Sequence, residues 1–395
     1  MRGRRDPQPK MFFAIDVERR IRPNHPLRPV KRAVDRILAG LGDRFAAAYS
    51  EIGRPSVPPE TLLKALLLMA LYSVRSERQL VERIDTDLLF RWFLDLDPAQ
   101  EVFDATAFSH NRPRLDSHGL TAAFFDAVLK EAIDAGLTSD DHFSVDGTLI
   151  ESCASIKSFR PKADSDSKSD EEEPGDGSGA GGSNDSNAFK SRNAEVDFHG
   201  QKRTNETHRS ATDPEARLYR KSPGQEAKLS HLGHALAENR HGLIMAIEVG
   251  EASGTGERTA ATAMLDRLAE RQGVRPRTLG ADKGYDAGEF YLELERRGVE
   301  PHVAVIEKPP ANPRHLRAAG REAFEARQRM KARLSSATYR VSQRCRKKVE
   351  ECFGWLKTIA GLARSRWPER WKLKQQVEIA AAAFNLIRMR NLAAI

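Results

Sequence analysis

Two aspartates in this chain sit beside glycines at the ends of short apolar runs, Val145-Asp146-Gly147-Thr148 and Ala281-Asp282-Lys283-Gly284-Tyr285. A third acid, Glu350, stands among cations in the run Arg344 to Lys357, flanked by Arg344, Arg346, Lys347, Lys348 and Lys357. Carboxylates are hard oxygen ligands, and a few of them plus substrate phosphate complete the shell of Mg2+, which keeps several waters. Two such ions roughly 3.5–4 Å apart activate an attacking oxygen and stabilise the leaving one during in-line displacement at phosphorus. That chemistry needs no Ser or Cys nucleophile. Taken singly, each aspartate reads more readily as a turn residue at a strand end than as a ligand. Glu350 with Arg346 reads as an i,i+4 ion pair contributing a few tenths of a kcal/mol. The pattern of all three, within a phosphate-facing run of cations, is what points to metal-assisted phosphodiester chemistry. No P-loop, dinucleotide-binding glycine fingerprint, HExxH or GxSxG motif competes with it.

The elements that must position these acids follow from periodicity. Residues 26–135 read as all helix. Pro58 and Pro59 open one helix, with Leu62, Leu66, Met69, Ala70 and Val74 near the helical period. Ser76-Glu77-Arg78-Gln79 is a capping box for the next, Thr86 is placed as the cap of a third, and Asp104–Leu115 and Thr121–Ala135 follow. Short helices joined by tight turns are compatible with helix-turn-helix DNA binding, although by themselves they more often form a plain bundle. At His142 the pattern changes to the alternation of a strand ending at Asp146, where Gly147 is expected to turn the backbone and expose the carboxylate at a sheet edge. Lys228–Ala237 and Leu243–Val249 read as a hairpin, Glu257–Arg271 as a helix, Arg277–Asp282 as a strand, Ala287–Arg296 as a helix and Pro301–Val305 as a strand. Basic helices are expected at 314–334 and 341–361, and an apolar one at 375–393. The order matches an α/β, ribonuclease H-like layout: a mixed central sheet flanked by helices, behind an all-α N-terminal DNA-binding domain. The predicted division is a basic arm at 1–25, the helical domain at 26–135 and the catalytic domain at 140–395. Asp164–Asn187, with eight acidic residues and no large apolar side chain, is expected to be a disordered acidic insert.

The chain has 395 residues, 39% hydrophobic, and a formal charge of +8. That charge is uneven: Arg314–Lys374 carries 18 Lys or Arg against 5 Asp or Glu, which leaves the remainder net acidic. Such concentration suits a polyanion partner, and on charge alone it suits a solvated helical surface equally. Cys153, Cys345 and Cys352 form no disulfide or metal pattern and read as packing residues. Met1–Arg5 leads into polar sequence, so no secretory leader is expected, and the apolar run Thr61–Val74, interrupted by Lys64, reads as a buried helix. A cytoplasmic protein without a membrane or a small-molecule substrate is expected.

The segment around Glu350 resembles the catalytic helix of DDE-type bacterial insertion-sequence transposases, of the insertion-sequence-five group with its InsH-like relatives. That group is marked by Tyr, two residues, Arg, three residues, Glu, six residues, Lys. Arg346, Glu350 and Lys357 match the last three at the right spacing, whereas the Tyr position falls on Gln343, with Tyr339 one turn earlier. The two aspartate motifs, the stretch Thr212–Arg217 and residues 50–115 are similar to the family's corresponding segments. The resemblance implies that Asp146, Asp282 and Glu350 ligate two Mg2+ ions per active site (Mn2+ able to substitute). It implies that Arg346 and Lys357 contact DNA phosphates, with Arg344, Lys347 and Lys348 as further DNA-binding residues. Lys283 and Tyr285 read as structural, and Glu351, the rival to Glu350, faces away. The implied activity is binding of terminal inverted repeats in double-stranded DNA, cleavage and strand transfer, by a homodimer or larger assembly in the bacterial cytoplasm, nucleoid-associated when on DNA. A non-catalytic DNA-binding regulator derived from a transposase is the alternative, and a structure-specific nuclease shares the metal chemistry.

Overall fold

The computed structural model describes residues 16–50, 52–162, 203–220, 224–253, 256–307 and 317–392. The expected acidic insert, and the expected arm up to residue 15, lie outside the described residues. The N-terminal part is helical: α1 (Val17–Arg20), α2 (Leu27–Ala39), α3 (Gly42–Ala48), α4 (Pro59–Leu71), α5 (Glu77–Thr86), α6 (Leu88–Phe93), α7 (Thr106–Ser117) and α8 (Leu120–Asp134). The first, α1, precedes the point at which helix was expected. α4 is apolar on nearly every side, and nearly every side is buried. Even Lys64 is covered, its ammonium held by Asp35 and Asp95 at 2.5 Å each. Ser76 caps α5 by accepting the Gln79 N–H at 3.2 Å, while the Gln79 side chain accepts the Arg75 N–H at 3.1 Å. The expected cap at Thr86 is corrected to Asp87. The Thr86 hydroxyl is spent on the Glu82 carbonyl inside α5, and the Asp87 carboxylate accepts the Leu89 N–H at 2.9 Å.

The sheet comprises β1 (His142–Glu151), β4 (Arg217–Tyr219), β5 (Lys228–Glu238), β6 (Ile244–Glu251), β7 (Thr278–Ala281) and β8 (Glu300–Val303), with a separate small pair, β2 (Phe159–Pro161) and β3 (His208–Ser210). Its path is β4–β5–β1–β7–β8, with β6 also paired to β5. β5 runs antiparallel to β4, β1 and β6, whereas β7 runs parallel to both β1 and β8. Helix α9 (Gly256–Gln272) links β6 to β7 and α10 (Gly288–Arg296) links β7 to β8. The expected hairpin and the helices and strands after it are therefore present, within a few residues of their expected ends.

Behind β8 come α11 (Ala318–Arg333), α12 (Ala337–Cys345), α13 (Lys347–Thr358) and α14 (Arg370–Asn391). One helix was expected over 341–361. Instead the ladder tightens at Arg346, where the Val349 N–H donates to the Arg346 carbonyl three residues back at 3.1 Å. Arg346 keeps helical dihedrals, so its spacing to Glu350 survives the break. The stripe Val349, Phe353, Leu356 and Ala360 is buried as its periodicity predicts. α14 begins earlier than expected and is a shared wall, packing on α8 and α4 on one side and β6 on the other. Within it the Asn385 amide grips the backbone N–H and C=O of Ile244 at 2.9 and 2.8 Å. One continuous core runs from Ile21 to Met389 through both parts.

Candidate active site

β1 is the central strand, and Asp146 lies inside it, opposite Ala235 of β5. The expected turn at Gly147 is therefore corrected. The strand runs straight through to Glu151, and the Asp146 carboxylate is half-buried within the sheet, not exposed at its edge. On the other side Ser144 pairs with Gly280 of β7, in parallel. Two residues further on from each, in step, stand Asp146, within β1, and Asp282, one residue past β7. β7 ends at Ala281, so Asp282 leaves the sheet beside Asp146 and caps the short turn Lys283–Tyr285, accepting the Gly284 N–H at 2.8 Å. Asp146 accepts the N–H of its own neighbour Gly147 at 2.8 Å.

Glu350 arrives from α13, which packs against β1 and β5, while α12 packs on β7. Burying Val349, Cys352 and Phe353 against the sheet leaves Glu350 on the rim, exposed, 3.5 Å from the Arg346 guanidinium. Burial pushes the Asp146 carboxyl up to about 6 against the help of the Gly147 N–H. Asp282 raises it further, Arg346 lowers it and Glu350 raises it. Asp146 therefore feels the charges of both other predicted acids and of the predicted arginine. A separation of 136 residues along the chain, from Asp146 to Asp282, has become adjacency.

A fourth carboxylate was missed in the sequence. Glu257 lies in the first turn of α9, which packs across β6, β5 and β1. A methyl placed on Gly147 would lie 2.9 Å from Glu257 Oε1, and one placed on Gly284 would lie 3.3 Å from Oε2. Burial raises the Glu257 carboxyl above the usual carboxylate range, and Asp282 and then Asp146 raise it further. Gly147 is thus a space-saving residue, not a turn. Behind these acids two polar side chains are buried without a partner: the Tyr285 hydroxyl, and His234, whose imidazole is pushed down to about 4 by burial.

The other expected residues scatter. Arg344 and Lys347 are exposed. Lys348 is not free for DNA, because its ammonium donates to the Arg240 carbonyl at 2.5 Å in the turn between β5 and β6. Lys357 lines a small cleft with Thr148, two residues past Asp146. Gln343, at the tyrosine position, donates to the His302 carbonyl, and Tyr339 sets its ring edge-on to His302 at 5.8 Å. Lys283 is exposed, Tyr285 belongs to the core, and the three cysteines are free thiols.

The donor set suits a hard divalent cation: all oxygen, with the nearby imidazole buried and neutral. As the side chains stand, no three acidic, imidazole or thiol groups among the described residues close around one point. Asp146 and Asp282 each hold a local N–H, and Glu350 faces Arg346.

Residues 15–114 match the family model of a transposase domain (DUF772), and residues 206–386 match that of the transposase DDE domain. The two matches support an insertion-sequence transposase. Asp282 and Glu350 fall inside the second match, while Asp146 lies between the two. No curated protein and no solved structure matches the chain. No helix among the described residues is long and apolar enough to cross a membrane.

Proposed function

We propose that the chain is a transposase of the insertion-sequence-five, InsH-like group that binds the terminal inverted repeats of its element, cleaves the DNA there and joins the freed end to a target. The observation that carries this reading is the placement of Asp282, just past the end of β7, in step with Asp146 on the adjacent β1, with Glu350 close enough to act on the charge of Asp146. The sheet order, antiparallel on one side of β1 and parallel on the other, supports a ribonuclease H-like catalytic domain. Asp146, Asp282 and Glu350 would hold a pair of divalent cations, Mg2+ or Mn2+. Bound there, such ions activate the attacking oxygen and stabilise the leaving one.

The chain's own groups do the rest. Arg346 sits at the junction of α12 and α13, three-quarters buried and already turned toward the acids, so its guanidinium is placed to orient a phosphate beside them. Lys357 offers a second cation along the same wall, near Thr148. Arg344 and Lys347, on the exposed side, track the DNA backbone further out. The helical N-terminal part carries element-end recognition, and α14 packs against both it and the sheet. Two ends must be held together for joining, so the working assembly on DNA is a dimer or larger. The full-length protein incubated with Mg2+ and end-labelled DNA carrying the inverted repeats that flank its gene should nick the 3′ ends and join them to target DNA. Undiminished activity in Asp146→Asn would exclude the reading. Binding that persists in EDTA, without cleavage in any divalent metal, would indicate a DNA-binding regulator instead.

A further inference from the structure

We infer that Glu257 is a fourth cation-holding carboxylate of the active site, wedged between the two aspartates by the glycines that follow them. The inference rests on the reading of the site given above and deepens it. Its first support is steric. Oε1 of Glu257 occupies the space where any side chain at position 147 would begin, 2.9 Å away, and Oε2 lies 3.3 Å from the corresponding point at position 284. One carboxylate therefore touches the residue after Asp146 and the residue two after Asp282, and both are glycine. Its second support is that Glu257 has no hydrogen-bond or ion-pair partner among the described residues, although it is half-buried beside two like charges. A half-buried carboxylate set beside two like charges, with only the charge of Arg258 to offset them, is one held ready for a cation. The third support is Tyr285. Its ring is fully buried, its hydroxyl is unpartnered, and the charges acting on it are those of Glu257, Asp146 and Asp282. A buried donor that feels three carboxylate charges, with nothing among the described residues to donate to, marks space meant to be filled.

The plain alternative is that Glu257 only complements the N-terminal end of the α9 dipole. Calorimetric titration of the full chain with Mn2+ separates the two, without relying on turnover. Glu257→Gln keeps the shape and any dipole-facing oxygen but removes the charge. It should fold, with a melting temperature in metal-free buffer at or above that of the wild type, and weaken Mn2+ binding by roughly tenfold or more. Gly147→Ala gives a second route, since it displaces the Glu257 carboxylate without changing its charge, and it too should weaken binding. If both variants bind Mn2+ as the wild type does while Asp146→Asn does not, the inference is overturned and the three-acid site stands. If the wild type itself takes up no Mn2+, the underlying reading fails and this one fails with it.

Discussion

Glu378 lies on α14 at its contact with α8, where its carboxylate accepts the Thr121 hydroxyl at 2.6 Å. Burial raises this carboxyl from a free value of 4.5 to about 7. The Thr121 hydrogen bond and then Lys374 oppose the rise, and Glu248 and Asp126 add to it. Below pH 4.5 folded and unfolded chains both hold the proton and the group is neutral to stability. As pH rises from 4.5 to 7 the unfolded chain ionises while the folded one keeps its proton, so stability falls, and above 7 the loss is complete. The gap corresponds to about 3 kcal/mol. A cavity of about 150 Å³ alongside, lined also by Arg267, Arg271 and Lys374, is wide enough for water, so 3 kcal/mol is a ceiling. Glu378→Gln never ionises and its amide oxygen still accepts from Thr121. Urea denaturation followed by tryptophan fluorescence should show the two proteins matched near pH 4.5. By pH 8 the variant should be the more stable by up to about 3 kcal/mol. A difference that stays flat across this range, or a variant less stable at pH 8, would refute the assignment of a buried, neutral Glu378.

Other substitutions test other contacts. Gly288→Ala places a methyl 2.2 Å from the Ala323 carbonyl oxygen, a backbone atom that cannot swing aside, so α10 and α11 must separate. A loss of about 1–3 kcal/mol in the same denaturation assay is expected. Arg112 stacks on Trp367 at 3.9 Å and pairs with the mostly buried Glu77. Arg112→Ala should cost about 3–5 kcal/mol, and adding Glu77→Ala should recover part of that in a double-mutant cycle. On DNA, Lys347→Ala and Arg344→Ala should each lower affinity and reduce the salt dependence by about one counter-ion in filter binding. Lys348→Ala should instead lower the melting temperature with the salt slope unchanged, because its ammonium is spent on the Arg240 carbonyl.

The elements most legible in the sequence were those specified by local chemistry. Ser76 announces the start of α5, the Asn239–Gly242 turn announces the hairpin, and the spacing Val349, Phe353, Leu356, Ala360 announces the buried face that sets Glu350 on the rim. Thr86 was misplaced as a cap because two adjacent residues both suit that position, and which one caps depends on where the α5 ladder stops. Gly147 was misread because a glycine beside an acid signals a turn locally, whereas here it answers a side chain 110 residues away. Glu257 itself carries no local mark. An acid in the first turn of a helix is ordinary, and only the packing of α9 across β6, β5 and β1 brings it to the aspartates. The break at Arg346 was equally invisible, since its dihedrals remain helical while the Val349 N–H turns to the Arg346 carbonyl. Lys348 looked like a DNA contact because charge runs disclose composition, not the hairpin turn that waits opposite.

The most direct measurement of the shared-cation site is anomalous diffraction at the manganese edge from crystals of the full chain grown with Mn2+. The expected result is manganese bound by the carboxylates of both Asp146 and Asp282, at roughly 2.0–2.6 Å, with the Glu350 carboxylate turned from Arg346 toward the same site. Manganese found only elsewhere on the surface, with the two aspartates still holding the N–H groups of Gly147 and Gly284, would contradict it.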